Sequence, residues 1–132
     1  MSEEVKKIHT IVLAEDDAFI SRAYVSGLTQ AGFRVIDIHR GDEVVAAVER
    51  EMPDIVLLDL MMPFKTGFEV LADIRSREPL KKIPIIIFSS LQQDHDVEEA
   101  LRLGATDYLG KSNISLHGVI EKINEYLLGE SK

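Results

Sequence analysis

Short apolar runs alternate with longer stretches of helical periodicity along the whole chain, and this alternation constrains the fold more than any other feature. Those apolar runs suit burial on both faces of a strand, which favours a parallel sheet. Five strand–helix units follow one another, so the sequence predicts an α/β domain with helices on both faces of the sheet. The predicted strands are 10–14, 34–38, 55–58, 85–88 and a short one at 108–109.

The stretches between the strands have the apolar spacing of helices that pack against a sheet on one side. The predicted helices are 18–30, 42–51, 66–77, 94–103 and 115–128. A glycine or proline lies beyond each of them and indicates where it ends: Gly32, Pro53, Pro79, Gly104 and Gly129. We expect one domain over residues 8–128, with tails at 1–7 and 129–132.

Length, charge and composition exclude several classes of protein. A chain of 132 residues fits a single domain. With 15 Lys and Arg against 23 Asp and Glu, the net charge is −8, which disfavours direct nucleic-acid or anionic-membrane binding. The absence of cysteine excludes disulfide and thiolate chemistry. No apolar run approaches the roughly 20 residues of a membrane span, so we expect a cytoplasmic protein without a membrane segment.

Polar side chains follow four of the five predicted strands. Taken singly, each has an ordinary explanation as a helix cap, a turn residue or a surface charge. Because the carboxyl ends of parallel strands meet at one edge of a sheet, we expect these side chains to converge there. They are Glu15, Asp16 and Asp17 after the first strand, Asp59 after the third, Ser89 and Ser90 after the fourth, and Lys111 beyond the fifth.

This group of residues is suited to phosphoryl transfer. Crowded carboxylates repel one another unless a cation lies among them, and Mg²⁺ prefers oxygen ligands of this kind. Asp59 is the single acid at the end of a long apolar strand and is the best candidate for a nucleophile toward phosphorus. Lys111 and Ser89 could then stabilise the phosphoryl oxygens.

Four segments together match a known pattern, and through them the chain resembles the receiver domain of two-component response regulators. The segments are VLAEDD at 12–17, IVLLDLMMPFKTG at 55–67, PIIIFSS at 84–90 and GATDYLGK at 104–111. The resemblance extends over almost the whole chain, with the family's order and spacing. It implies a five-stranded parallel sheet of order 2-1-3-4-5 with five helices, a flavodoxin-like three-layer sandwich.

The resemblance also implies a metal site. Asp16 is similar to the family's direct Mg²⁺ ligand, and Glu15 to the acid that acts through a water molecule. Asp59 is similar to the phosphoacceptor, which is also a ligand, and the backbone carbonyl of Met61 would complete the set. Mg²⁺ is the cofactor implied, with Mn²⁺ as a substitute.

A switch is implied by the same resemblance. Ser89 is similar to the switch hydroxyl, Lys111 to the lysine that pairs with the phosphoryl group, and Tyr108 to the aromatic switch residue. In such proteins the aromatic turns inward when the hydroxyl moves toward the phosphoryl group. The readout surface is then the fourth helix, the fifth strand and the fifth helix.

The implied function is that of a switch rather than an enzyme, since its catalysis is limited to its own phosphotransfer and dephosphorylation. The phosphoryl group would come from a sensor histidine kinase or a histidine phosphotransfer protein, and the switched face would regulate a downstream protein partner. We expect a monomer or a weak phosphorylation-dependent dimer. Two alternatives stay open: a phosphorelay carrier that passes the group to a histidine phosphotransfer protein, and a receiver excised from a larger regulator or hybrid kinase.

The sequence departs from the family pattern at two positions. Ser112 follows the lysine, where relatives commonly have proline, and Ser90 replaces a common alanine. Met61 and Leu91 lie two residues after the acceptor and after the switch serine, at positions that in the family tune hydrolysis. Because both are apolar and cannot position a water molecule, we predict a long-lived phosphoryl group.

Other catalytic classes fit poorly. Phosphatases with an aspartate nucleophile have a D-x-D motif there, and the segment from Asp59 to Met61 lacks the second acid. No phosphate-binding or dinucleotide glycine motif is present. The histidines have no metal-ligand spacing and are interpreted as surface or loop residues: His9, His39, His95 and His117.

Overall fold

The structure is a computed structural model that describes residues 7–91 and 93–129, so of the predicted tails at 1–7 and 129–132 only Lys7 and Gly129 are described. The strands are β1 (Thr10–Ala14), β2 (Arg34–Ile38), β3 (Ile55–Leu58), β4 (Ile85–Ser89) and β5 (Asp107–Gly110). The helices are α1 (Ala18–Gln30), α2 (Val44–Glu51), α3 (Gly67–Arg75), α4 (Asp94–Arg102) and α5 (Leu116–Leu128).

The five strands form one parallel sheet in the order β2-β1-β3-β4-β5, which confirms the predicted fold. Val12 of β1 lies in register with Ile36 of β2 on one side and Val56 of β3 on the other. The chain moves outward from β1 to β2 and then returns across β1 to start β3. Strand order therefore reverses between β1 and β3, and the carboxyl ends at such a reversal border the crevice in which ligands bind.

Helices cover both faces of the sheet because successive residues of each strand point to opposite sides. Ile11 and Leu13 of β1 pack in one core with Leu28 of α1 and Ile123 of α5. Val12 and Ala14 point the other way, into a core that also holds residues of α2, α3 and α4. Every residue of β3 is buried, as expected for a central strand with helices above and below. Burying one Leu or Ile side chain contributes about 1.5–3 kcal/mol, so these two cores hold the strand ends firmly in place.

The helices after α1 differ from the predicted ranges at their ends, α4 and α5 by one residue and α2 and α3 by more. A 3₁₀ turn over Gly41–Glu43 precedes α2, which begins only at Val44. Thr66 is the N-cap of α3 rather than its first residue, and it forms a reciprocal capping box with Glu69. This helix ends at Arg75 because the chain then turns to bury Leu80 and Ile83.

Candidate functional site

The polar side chains predicted to converge are brought to one edge of the sheet by backbone hydrogen bonds that extend the strands. The N–H of Glu15 donates to the carbonyl of Ile38 at 3.0 Å, and that of Asp59 donates to the carbonyl of Ala14 at 3.0 Å. The N–H of Lys111 donates to the carbonyl of Ser89 at 2.9 Å. Each side chain therefore leaves the sheet from a position fixed by its neighbouring strand.

Lys111 joins the two buried carboxylates of the site. Its Nζ lies 2.6 Å from Oε1 of Glu15 and 3.2 Å from Oδ2 of Asp59. Glu15 is 1% exposed and Asp59 is 3% exposed, whereas Asp16 is open to solvent. The ammonium also lies 5.0 Å from the ring centroid of Phe88, which packs beneath it. The lysine reaches the site even though Ser112 follows it, so the departure from the family pattern leaves Lys111 in place.

The other oxygen of each of these two carboxylates accepts a hydrogen bond from a backbone N–H. Oε2 of Glu15 accepts from the N–H of Asp17 at 2.9 Å, and Oδ1 of Asp59 accepts from the N–H of Met61 at 3.2 Å. Oε1 of Glu15 is buried, and its close partner is the Lys111 ammonium at 2.6 Å, as an ion pair. The carboxylate of Asp17 turns away from the site and caps α1 through the N–H groups of Phe19 and Ile20.

Three carboxylates of this site fit a metal ion. Glu15, Asp16 and Asp59 each offer an oxygen atom, and these oxygens lie within 4.8 Å of one another. In the part of the chain that the structure describes, no other group of three acidic or histidine side chains has this arrangement. Hard oxygen donors and an excess of negative charge over the single Lys111 ammonium suit a hard divalent cation.

Burial and charge shift the pKa values of the central pair. Burial raises the pKa of Asp59 to about 6, and repulsion from Glu15 adds to this, while Lys111 and the N–H of Met61 partly offset it. Burial opposes the charge on Lys111, but its contacts with Glu15 and Asp59 outweigh that effect and raise the pKa of the ammonium. Without a metal ion, the negative charge of ionised Asp59 is therefore only partly balanced by Lys111 and the N–H of Met61.

Ser89 and Tyr108 are linked through the backbone of Leu91. Ser89 is fully buried at the end of β4, and its Oγ accepts from the N–H of Leu91 at 3.1 Å. The hydroxyl of Tyr108, on the adjacent β5, donates to the carbonyl of Leu91 at 2.5 Å. Burial raises the pKa of this phenol. Both residues predicted to form the switch thus hold the same peptide segment, which leads into α4.

Sequence reasoning missed two contributors to this geometry. The backbone of Leu91 carries no signal in the sequence that would mark it as the shared partner of Ser89 and Tyr108. Gly67 is the second, because a Cβ at that position would overlap the carbonyl of Asp59. Its N–H donates to the carbonyl of Leu60 at 2.9 Å, so the chain after Asp59 folds back closely on the start of α3. The available signal was a glycine at the second position of the helix predicted over 66–77.

Comparison with known proteins places the fold and site in one family. The sequence model of the response regulator receiver domain family matches residues 11–124 of this chain. The chain is 36% identical over 105 residues to the transcriptional regulatory protein RstA of Escherichia coli, covering 80% of this chain and 43% of that protein. The chain spans about two fifths of the length of the curated relatives it matches.

Two solved structures are similar over nearly their full length. The BeF3-activated N-terminal receiver domain of Klebsiella pneumoniae RstA is 30% identical, with a TM-score of 0.83, and the match covers 89% of this chain and 97% of that one. The Mn²⁺-bound form of response regulator Rcp1 is 28% identical, with a TM-score of 0.80, covering 94% of this chain and 97% of that one.

The chain belongs to the response regulator receiver domain family. Membership supports a phosphoacceptor role in two-component signalling and defines a signalling domain rather than a metabolic enzyme. Within the described residues, none of the helices is long and apolar enough to cross a membrane.

Proposed function

We propose that Asp59 accepts a phosphoryl group from a phosphohistidine of a sensor histidine kinase or a histidine phosphotransfer protein. The observation that carries this proposal is the buried Asp59 carboxylate, 3.2 Å from the Lys111 ammonium and within a cluster of three acids. An oxygen of Asp59 forms a bond to phosphorus while the bond from phosphorus to the donor nitrogen breaks. The electron pair of that bond stays with the imidazole, and Asp59 becomes an acyl phosphate.

Asp16, Asp59 and the backbone carbonyl of Met61 are the proposed ligands of Mg²⁺, with Glu15 acting through a water molecule, and Mn²⁺ can substitute for the ion. When bound, such an ion offsets negative charge on the transferring phosphoryl group and on the carboxylates around it. The support comes from the shared 4.8 Å cluster of the three carboxylates and from the Mn²⁺-bound relative Rcp1.

The protein's own groups would prepare Asp59 for the reaction. A pKa of about 6 leaves most of the Asp59 carboxyl ionised at pH 7.5, as a nucleophile must be. The N–H of Met61 fixes Oδ1 at 3.2 Å and so orients the carboxylate. Lys111 pairs with Asp59 before the reaction and would pair with the phosphoryl oxygens after it, since both are anionic.

The proposed switch uses the hydrogen bonds on Leu91. A phosphoryl group on Asp59 presents strong acceptors, so the Ser89 hydroxyl gains a bond by turning toward it and releases the N–H of Leu91. Tyr108 holds the carbonyl of the same residue, so its position changes together with the segment that leads into α4. The face formed by α4, β5 and α5 would then bind a downstream protein partner according to the populated conformer.

The wider setting is part of the proposal. We place the receiver domain at residues 8–128 of a cytoplasmic protein that is a monomer or a weak phosphorylation-dependent dimer and does not itself bind nucleic acid. The alternative of a receiver within a larger regulator is favoured by relatives more than twice as long as the matched segment. A phosphorelay carrier would use the same acceptor chemistry. Transfer of the phosphoryl group from Asp59 to a histidine phosphotransfer protein would distinguish a carrier from a switch.

Incubation with acetyl phosphate tests the acceptor directly. The intact mass should rise by one phosphoryl group only when Mg²⁺ or Mn²⁺ is present, and Asp59→Asn should abolish the gain. Asp54→Asn is a matched control, because Asp54 lies at the opposite end of β3 and accepts from the N–H of Thr10. An adduct that persists in Asp59→Asn, or that forms fully in EDTA, would overturn the proposal.

A further inference from the structure

The segment that follows Asp59 contains a backbone conformation that is unfavourable for its residue. Phe64 has φ of 73°, and its side chain is 72% exposed. The left-handed region is disfavoured for residues with a Cβ, and bulky side chains are rare there. Among the described residues, the other non-glycine residue with positive φ is Met52, at the end of α2. An exposed aromatic in such a conformation needs support from its surroundings.

Arg40 supplies the first support. Its guanidinium lies 3.9 Å from the ring centroid of Phe64, which is the geometry of a cation–π contact. Two hydrogen bonds to Asp42 hold the guanidinium, from Nε to Oδ1 at 3.0 Å and from Nη2 to Oδ2 at 2.8 Å. This fork fixes the plane of the guanidinium, so the stacked position over Phe64 is well defined.

Gly41 supplies the second support. Its N–H donates to the carbonyl of Pro63 at 3.0 Å, and a Cβ at this position would overlap the carbonyl of Lys65. Only glycine allows the chain after β2 to approach this closely. Lys65 is held in turn by Asp73 of α3, with Nζ 2.6 Å from Oδ2. The chain after β2 therefore contacts the segment 60–66 on both sides of Phe64.

We propose that Arg40, Gly41 and Phe64 form a clamp that positions the segment 60–66 for phosphorylation of Asp59. The segment starts next to the acceptor, and its Met61 N–H donates to Oδ1 of Asp59. The clamp residues are positioning residues, because their described contacts lie on the segment and not on the Asp59 carboxylate. This inference rests on the proposed function and adds to it a role for the β2–α2 connection.

Phe64→Gly separates positioning from stability. Glycine favours positive φ, so the melting temperature should stay equal or rise. The ring that Arg40 holds is lost, so the maximal rate of phosphorylation by acetyl phosphate should fall about three- to tenfold. The acetyl phosphate concentration at half-maximal rate should stay unchanged. Met52→Gly is the matched control, because it also removes an exposed side chain at positive φ but lies at the other end of β3.

Arg40 variants test the same clamp from its other side. Arg40→Ala should slow phosphorylation to a similar degree, and Arg40→Lys should recover part of the rate. The double variant, Arg40→Ala with Phe64→Gly, should be no slower than the slower of the two single variants. Arg50→Ala, which removes another exposed arginine paired with a carboxylate, should leave the rate unchanged. Wild-type rates in both single variants overturn the clamp alone. A wild-type chain that gains no phosphoryl group overturns the proposed function and the clamp together.

Discussion

Lys111 lies 3.2 Å from Oδ2 of Asp59, although 52 positions separate the two residues in the sequence. The same ammonium lies 2.6 Å from Glu15, so one lysine joins the ends of β1, β3 and β5. The metal-free site thus contains one cation among several anions, and its charges are only partly balanced. Stability and phosphorylation should both depend on this lysine.

Lys111→Ala should destabilise the metal-free protein by about 3 kcal/mol, because it leaves Glu15 and Asp59 buried without a cation. Urea unfolding in EDTA measures the loss. Lys122→Ala is the control, since the ion pairs of Lys122 among the described residues are long, at 3.7 and 3.8 Å, and its loss should cost less than about 1 kcal/mol. Equal losses in the two variants would contradict a central role for the Lys111 pairs.

Asp59→Asn should stabilise the metal-free protein at alkaline pH. The folded pKa of about 6 lies above the ordinary value of 3.8, so the folded state binds this proton more tightly than the unfolded state does. Ionised Asp59 therefore weakens the fold, with no effect below about pH 4, a growing effect up to pH 6 and the full effect above it. The expected gain is about 1–3 kcal/mol at pH 8 and falls to zero near pH 4.

Urea unfolding across this pH range in EDTA gives the measurement, and Asp54→Asn gives an opposite-signed control. Burial opposes ionisation of Asp54, but its bonds from the Thr10 N–H and Lys7 outweigh that and lower its pKa. Asp54→Asn should therefore destabilise the protein at pH 8, and the loss of stability should be smaller in acid. A gain for Asp59→Asn that is constant over pH would show that charge is not its cause.

Tyr108→Phe removes the hydrogen bond to the carbonyl of Leu91 and should destabilise the protein by about 1 kcal/mol. The segment before α4 should loosen, so amide hydrogen exchange at Leu91 should speed up. The rate of phosphorylation by acetyl phosphate should change less than about twofold, because the hydroxyl of Tyr108 is bonded to the Leu91 carbonyl and not to the Asp59 carboxylate. Tyr126→Phe is the control, because it loses a 2.8 Å hydrogen bond to Asp107 instead. The rate of amide hydrogen exchange at Leu91 should not change in this variant.

Met61→Asn should shorten the lifetime of the phosphoryl group about tenfold, because an amide next to the acceptor can position water where the methionine cannot. Met61 is 55% exposed, so the change should be tolerated by the fold. Decay of the phosphorylated mass after removal of acetyl phosphate gives the lifetime. Met52→Asn changes a distant exposed methionine, so its phosphoryl group should decay at the wild-type rate. A wild-type lifetime as short as that of Met61→Asn would disprove the prediction of slow hydrolysis.

The fold was predictable from the sequence because β1, β3 and β4 contain continuous apolar runs. The bounds of β1, β2 and β3 agree with the predicted ranges to the residue. The position of the candidate site followed as well, since Asp59 and Lys111 come at or just beyond the ends of parallel strands, which share one edge. The start of α2 was wrong by two residues because Gly41–Glu43 form a 3₁₀ turn.

Other features had no recognisable sequence signal. The link from Ser89 to Tyr108 uses backbone atoms of Leu91, and every residue has such atoms. The left-handed Phe64 was equally hidden, since aromatic residues do not favour that conformation, and its support by Arg40 depends on the tertiary packing of two connections. Sequence reasoning located the strand-end side chains but not the packing that orients them.

Locating the phosphoryl group on the chain tests the central claim most directly. After reaction with acetyl phosphate and Mg²⁺, borohydride reduces an acyl phosphate to an alcohol, so a phosphorylated aspartate becomes homoserine and phosphate leaves. Mass spectrometry of the digested protein should find homoserine at position 59 and aspartate at positions 16 and 54. Homoserine at Asp16, or an unreduced Asp59 in a protein that had gained a phosphoryl group, would contradict the account.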